Sequence, residues 1–234
     1  MDIGTLYIVP TPIGNLEDIT LRALKVLKEV DYIVCEDTRQ TIKLLNHYEI
    51  KKALKSFFTH NQIKRIPEIT RDLKAGKILA IVSDGGTPGI SDPGSLLISK
   101  AIEEKILVVS LPGPTAVTTA LTASGLASDG FVFLGFLRRK AGKLKKELKS
   151  AALINKTIIF YESPYRVKKT LELCQSVFEK ETKVVLAREL TKSFEEYIRG
   201  TIGEVIDTIR EKDLKGEFVV LISSVNKKAE KANG

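Results

Sequence analysis

Through the first half of the chain, short β-branched and apolar runs alternate with segments patterned at helical spacing, and that alternation leaves few folds open. Thr5–Val9, Tyr32–Cys35, Ser56–Thr59, Ile78–Val82 and Ile106–Leu111 read as strands. Ile19–Val30, Thr38–Tyr48, Ile63–Lys74 and Ser95–Glu104 read as helices, the first after an Asp18 or Thr20 cap. Strand, helix and strand at this spacing mean βαβ units and a parallel, doubly wound sheet. Leu111-Pro-Gly-Pro114 breaks the pattern, so the first domain is expected over 1–113.

Residues 114–234 read differently. A small-residue helix, Thr115–Ser124, is followed by the strand Phe131–Phe136 and then a basic stretch. Strands Thr157–Tyr161, Lys183–Arg188, Glu195–Gly200 and Glu217–Ile222 come with helices Tyr165–Phe178 and Gly203–Lys212. Neighbouring strands without an intervening helix imply a mixed sheet. The expected fold class is α/β: an N-terminal doubly wound, mostly parallel sheet and a C-terminal mixed sheet, with a ligand cleft between the domains. The polar tail after Val225 is expected to fray.

The longest apolar runs fall far short of a membrane span, and no export signal opens the sequence. Cys35 and Cys174 stand apart outside any C-x-x-C, and His47 and His60 are the only histidines. A disulfide framework or zinc site has almost no ligands to draw on, so a cytoplasmic, reduced, metal-free protein is expected. The net charge is +8. Residues 1–113 contribute 15 basic and 14 acidic side chains, and residues 114–234 contribute 22 and 15. Arg138–Lys149 alone carries seven basic residues and one acidic, or +6, which points either to a polyanion such as nucleic acid or to a solvated lysine-rich helix face.

Loops at the carboxyl ends of strands hold the ligands of doubly wound sheets. The first loop, Pro10-Thr-Pro-Ile-Gly-Asn-Leu16, lacks G-x-G-x-x-G, and no G-x-x-x-x-G-K-[ST] occurs in the chain. Val82-Ser-Asp-Gly-Gly-Thr-Pro-Gly-Ile-Ser-Asp-Pro-Gly94 follows a strand and precedes a helix. Its glycines permit close backbone approach to a ligand, its prolines restrict it, and Asp84 stands at the strand end. A tight loop whose Asp merely caps a turn is the plainer alternative. Acid and arginine also stand side by side in Cys35-Glu-Asp-Thr-Arg39, Tyr161-Glu-Ser-Pro-Tyr-Arg166 and Ala187-Arg-Glu-Leu-Thr191, three groups expected to share one edge. They can orient a substrate or tune a base, or serve only as caps and surface ion pairs.

These motifs together resemble the tetrapyrrole methylase superfamily of S-adenosylmethionine-dependent methyltransferases, in its branch acting on small-subunit ribosomal RNA. The resemblance runs from Leu6 to Ile222 and rests on VPTPIGNLEDIT, CEDTR, SDGGTPGISDPG, PGPTA and FYESPYR. A tetrapyrrole-modifying member would carry proline where Ile13 stands and methionine near Glu162, which weakens the porphyrin alternative. Longer relatives carry a C-terminal segment that is short or absent here. The resemblance implies 2′-O-methylation of a cytidine in the decoding region, cytidine 1402 of 16S rRNA, by a homodimer acting on the RNA or the small ribosomal subunit. It implies cofactor contacts at Ile13, Val82, Ser83, Asp84, Thr87, Thr115, Ala116, Glu162 and Leu190.

Methyl transfer needs alignment and an acceptor for the hydroxyl proton. Glu36, Arg39, Arg166 and Arg188 are the catalytic candidates, with Asp37, Glu162 and Glu189 nearby, and the sequence leaves the base open. Arg138, Arg139, Lys140, Lys143, Lys145 and Lys146 are the RNA-binding candidates. With 6% aromatic residues and no tryptophan, stacking platforms are few, so phosphate contacts and RNA shape are expected to dominate. The rival readings are a small-molecule methyltransferase acting on a tetrapyrrole and a catalytically silent RNA-binding module.

Overall fold

The computed structural model describes residues 3–224, so the tail after Val225 lies outside the described residues. The chain divides into two compact units, one ending at Thr115 and the other beginning at Ala116.

In the first unit the strands are β1 Thr5–Ile8, β2 Tyr32–Cys35, β3 Ala53–Ser56, β4 Leu79–Val82 and β5 Leu107–Ser110. All pair in parallel, in the order β3-β2-β4-β1-β5. The helices are α1 Leu21–Glu29, α2 Thr38–His47, α3 Gln62–Lys74 and α4 Ser95–Glu103, with a short 3₁₀ turn at Leu16–Asp18. Thr20 caps α1 by accepting from the Ala23 N–H at 3.1 Å. Ala23, Val26 and Leu27 of α1 and Leu44 and Leu45 of α2 pack on one face of the sheet. Ile69 and Leu73 of α3 and Leu97 and Ala101 of α4 pack on the other. Strands covered on both faces are apolar throughout, and β2 and β4 are buried at every position.

β3 lies earlier than the expected Ser56–Thr59. The pairing register Tyr32↔Ala53 to Cys35↔Ser56 uses the polar edge segment instead. Lys55 fits there because it lies over the Tyr32 ring and pairs with Glu68 and Asp72. Phe57 is buried just past the strand, and Phe58 begins a turn closed by the Asn61 side chain.

In the second unit the strands are β6 Phe131–Phe136, β7 Thr157–Glu162, β8 Lys183–Arg188, β9 Glu196–Thr201 and β10 Phe218–Ser223. The helices are α5 Ala116–Thr122, α6 Ala141–Ala152, α7 Val167–Gln175 and α8 Ile202–Ile209. The sheet order is β6-β7-β10-β8-β9; β6 and β7 are parallel and the other pairs antiparallel, the mixed sheet expected. One core joins Leu144 and Leu148 of α6, Leu171 of α7 and Val205 of α8 to Ile158, Phe160, Leu186 and Val220 of the sheet. The carboxyl ends of β6, β7 and β8 emerge at one edge, because β7 and β8 both run antiparallel to β10.

Candidate functional site

In the first unit the chain leaves β2 toward the edge strand β3 and leaves β4 in the opposite direction, toward β5. The crevice between the carboxyl ends of β2 and β4 is thus the topological switch point, where doubly wound sheets bind ligands. The glycine-rich loop starts there. Thr11, just past β1, exchanges two backbone hydrogen bonds of 2.9 Å with Gly86. The Thr11 hydroxyl donates to the Ser83 carbonyl at 3.0 Å, and the Ser83 hydroxyl donates to the Gly86 carbonyl at 3.3 Å. Gly86 sits at φ 91°, backbone that favours glycine, with the Ile13 methyl close by. Thr87 donates to the Pro114 carbonyl at 3.2 Å. A Cβ at Gly113 would lie 2.6 Å from Pro10, which ties the segment after β5 to the loop after β1. Ile13, Val82, Ser83, Asp84, Thr87 and Thr115 therefore belong to one end of one unit. Val82 and Ser83 are buried, so only their backbone can meet a ligand, whereas Asp84 is exposed.

The charge at this edge is acidic. Asp37 caps α2, accepting from the Arg39 N–H at 2.8 Å and pairing with the Arg39 guanidinium at 2.6 Å. Those bonds hold the Asp37 carboxyl at about 2. Asp84 accepts from the Asp37 N–H at 3.0 Å, which ties the end of β4 to that of β2. Burial, then the charges of Asp84, Asp92 and Asp37, push Glu36 up to about 7. Burial and the Asp84 charge raise Asp92 to about 6, against a hydrogen bond with Ser83. Although Asp84 is exposed at the surface, partial loss of water around its carboxyl and the Asp37 charge raise it too. Carboxylates that resist ionising together suit a cationic ligand. No group of three His, Cys, Asp or Glu side chains is placed to hold a metal ion among the described residues.

In the second unit Glu162 ends β7 and is 2% exposed. It accepts from the Thr170 hydroxyl at 2.7 Å and the Ser163 N–H at 2.9 Å, and Arg166 lies 3.4 Å from it. Arg166 also reaches the Leu137 and Arg138 carbonyls, at 3.4 Å each. Arg188 donates to the Lys215 carbonyl at 2.7 Å and pairs with Glu196 at 3.5 Å. Leu190 is buried between Glu189 and Thr191, both at positive φ. Ala116 opens α5.

The three acid–arginine groups do not share one edge. Those of Arg166 and Arg188 stand at the same edge of the second sheet, level with Phe218 of β10, whereas Arg39 belongs to the first sheet. A strand's sequence gives its direction at its end, but not which sheet takes it in. The sequence reading gives Asp92, Thr11 and Thr170 no role: Asp92 lies within the glycine-rich motif, and Thr170 lies eight residues after Glu162, in the first turn of α7.

The basic stretch becomes a loop and the helix α6. Leu144, Leu148 and Ala151 face the core, while Arg138, Arg139, Lys140, Lys143 and Lys146 are exposed and Lys145 half-buried. None of these six cations makes an ion pair among the described residues. α6 is thus an amphipathic helix whose outer face carries cations without ion pairs at these six residues.

A doubly wound parallel sheet, an acidic glycine-rich switch point and a mixed second sheet define a methylase fold. Residues 5–206 match the tetrapyrrole (corrin/porphyrin) methylases, and the chain belongs to that family. It is 50% identical over 220 residues to ribosomal RNA small subunit methyltransferase I of Streptococcus pyogenes, covering 94% of this chain and 76% of the relative. Its likeness to the protein of that name from Thermotoga maritima is 48% over 222 residues, covering 94% and 99%. Uroporphyrin-III C-methyltransferase of Thermus thermophilus, solved with S-adenosylhomocysteine, superposes with a TM-score of 0.66 at 19% identity, covering 93% of this chain and 97% of that one. Diphthine synthase gives 0.73 at 13% identity, covering 94% and 90%.

Proposed function

We propose that the chain is an S-adenosylmethionine-dependent methyltransferase of small-subunit ribosomal RNA, acting on the ribose 2′-hydroxyl of cytidine 1402. The observation that carries this reading is identity near one residue in two, over 94% of the chain, to relatives named for that RNA. A homodimer in the cytoplasm, implied by the resemblance, belongs to the same proposal.

The residues present fit the cofactor. Its sulfonium and ammonium groups are cationic, and the switch point is lined by Glu36, Asp84 and Asp92. A Cβ at Gly85 would crowd the Pro12 carbonyl at 3.3 Å, so the glycine lets the two loops approach closely. Ile13, Asp84, Thr87, Thr115 and the backbone of Val82 and Ser83 hold the ligand, and the resemblance adds Ala116 and Leu190. Glu162, whose oxygens are already bonded, acts through the turn it anchors.

When bound, S-adenosylmethionine supplies a methyl group already activated by the sulfonium, so the chain's own task is alignment and proton removal. Glu36 is the half-buried candidate held near neutrality, poised to take the hydroxyl proton. Arg39, Arg166 and Arg188 are engaged within the chain and act as positioning groups. Arg138, Arg139, Lys140, Lys143, Lys145 and Lys146 meet RNA phosphates.

The test supplies labelled S-adenosylmethionine with naked 16S rRNA, small subunits or a tetrapyrrole precursor. Label on one cytidine ribose is expected, with little transfer after Glu36→Gln. Label on the tetrapyrrole, or RNA binding without transfer, would overturn the reading.

A further inference from the structure

Tyr165 is 95% exposed, and its hydroxyl has no hydrogen-bond partner among the described residues. The helix expected to begin at Tyr165 starts two residues later, because the Arg166 and Val167 N–H groups both donate to the Ser163 carbonyl and close a turn. The ring therefore stands at the tip of a loop at the carboxyl end of β7. The turn that carries it is tied down. Arg166 binds Glu162 behind it and the Leu137 and Arg138 carbonyls beside it, which fastens the turn to the loop carrying Arg138, Arg139 and Lys140. An exposed aromatic ring and three exposed, unpaired cations thus stand on two loops, one after β7 and one after β6, that Arg166 joins. At the other end of the same edge, Arg188, Lys192 and Lys212 are each paired with glutamates. Arg138, Arg139 and Lys140, by contrast, form no ion pair among the described residues.

We infer that this edge is a reading site for single-stranded RNA, in which an unstacked nucleobase lies on the Tyr165 ring and its flanking phosphates lie on Arg138, Arg139 and Lys140. An open aromatic face accepts any base by stacking, and neighbouring cations hold the backbone. The scarcity of aromatic residues makes such a platform a point of specificity rather than a general coat. Because it presents a base pulled from its helix, it selects unpaired over duplex RNA. The inference rests on the RNA reading above and names how that substrate is held.

The chain has no tryptophan, so Tyr165→Trp installs a single reporter. Its emission should be quenched by a single-stranded oligoribonucleotide and far less by a blunt RNA duplex, while Phe194→Trp, on the loop between β8 and β9, stays bright with both. Tyr165→Ala should weaken single-strand binding roughly ten- to hundredfold, the scale of one lost base–aromatic stack. Tyr165→Phe should bind as wild type, and S-adenosylmethionine affinity should be the same in all. Absence of quenching, or wild-type binding by Tyr165→Ala, overturns the inference. So does a Tyr165→Ala protein that methylates naked 16S rRNA normally and fails only on assembled subunits, which would mark this edge as a protein contact. If wild type transfers no methyl group to RNA yet quenching and the loss occur, the enzymatic reading fails and this site stands. If wild type methylates RNA and the Tyr165 variants are neutral, this inference alone fails.

Discussion

Replacing Thr170 by valine tests whether Glu162 is a structural anchor. The change keeps the side-chain shape and removes one donor from a carboxylate that is 2% exposed. The lost hydrogen bond is 2.7 Å long, and hydrogen bonds to charged groups contribute about 1.5–3 kcal/mol. The remaining donors, the Ser163 N–H at 2.9 Å and Arg166 at 3.4 Å, cannot move to replace it, since each holds the turn at the end of β7. We expect Thr170→Val to cost about 2 kcal/mol, and a midpoint about 4–8 °C lower for a chain of this size. Glu162→Ala, which strands Arg166 and Thr170 together, should cost about 3–5 kcal/mol. In a Glu162→Gln background the valine should cost less than alone, with a coupling of about 1 kcal/mol or more. Urea unfolding and thermal melts followed by circular dichroism give these values, and calorimetry checks that Thr170→Val binds S-adenosylmethionine as wild type does. If Thr170→Val leaves the urea midpoint unmoved, or the double variant is additive, Glu162 does not anchor the turn. A cofactor affinity that falls with stability unchanged would return it to direct ligand contact.

Gly86→Ala places a side chain at φ 91°, which should cost about 1–3 kcal/mol and loosen cofactor binding, while Gly142→Ala at an exposed position of α6 should do neither. The raised pKa values of Glu36 and Asp92 mean that the folded state holds protons more tightly than the unfolded chain. Their contribution to stability is therefore greatest below pH 4 and falls as pH rises, through about 6 for Asp92 and about 7 for Glu36. Glu36→Gln and Asp92→Asn should flatten that decline in thermal melts, and an unchanged slope would refute the assignment. Replacing Arg138, Arg139, Lys145 and Lys146 by Glu should weaken RNA binding and flatten its salt dependence without touching cofactor affinity. The same reversal at Lys25, Lys28, Lys51 and Lys52 controls for net charge, and an equal loss there would deny the patch a special role.

The alternating pattern of the first half was legible because β2 and β4, covered on both faces, must be apolar throughout. The edge strand β3 was misplaced because only one neighbour constrains it, and Lys55 is accommodated by partners that lie well apart in the chain. The glycine-rich loop announced itself by composition, since its bridge to Thr11 requires a residue at positive φ. Its electrostatics were not legible. Glu36 and Asp92 are far apart in sequence, and only the adjacency of β2 and β4 makes their charges oppose each other. In the same way Arg166 read as a catalytic candidate from its neighbours Glu162 and Ser163, while its bonds to the Leu137 and Arg138 carbonyls depend on β6 lying beside β7.

Charge is divided between the units as the proposed chemistry requires. The first 113 residues are nearly neutral, yet the carboxylates at the end of β2 and β4 outnumber the cation there, Arg39. A polyanion gains nothing at that edge, while a sulfonium does. The second unit carries almost all the excess positive charge, and α6 with the loop before it carries a run of cations that form no ion pair among the described residues. A polyanion is drawn there over a Debye length of about 8 Å at physiological salt. Had the lysines of α6 been spread over the whole chain, RNA would compete for the acidic edge only weakly but would bind everywhere else without register. Concentrated beside the turn that Arg166 fastens, they form the cationic surface on which the proposed RNA contact depends.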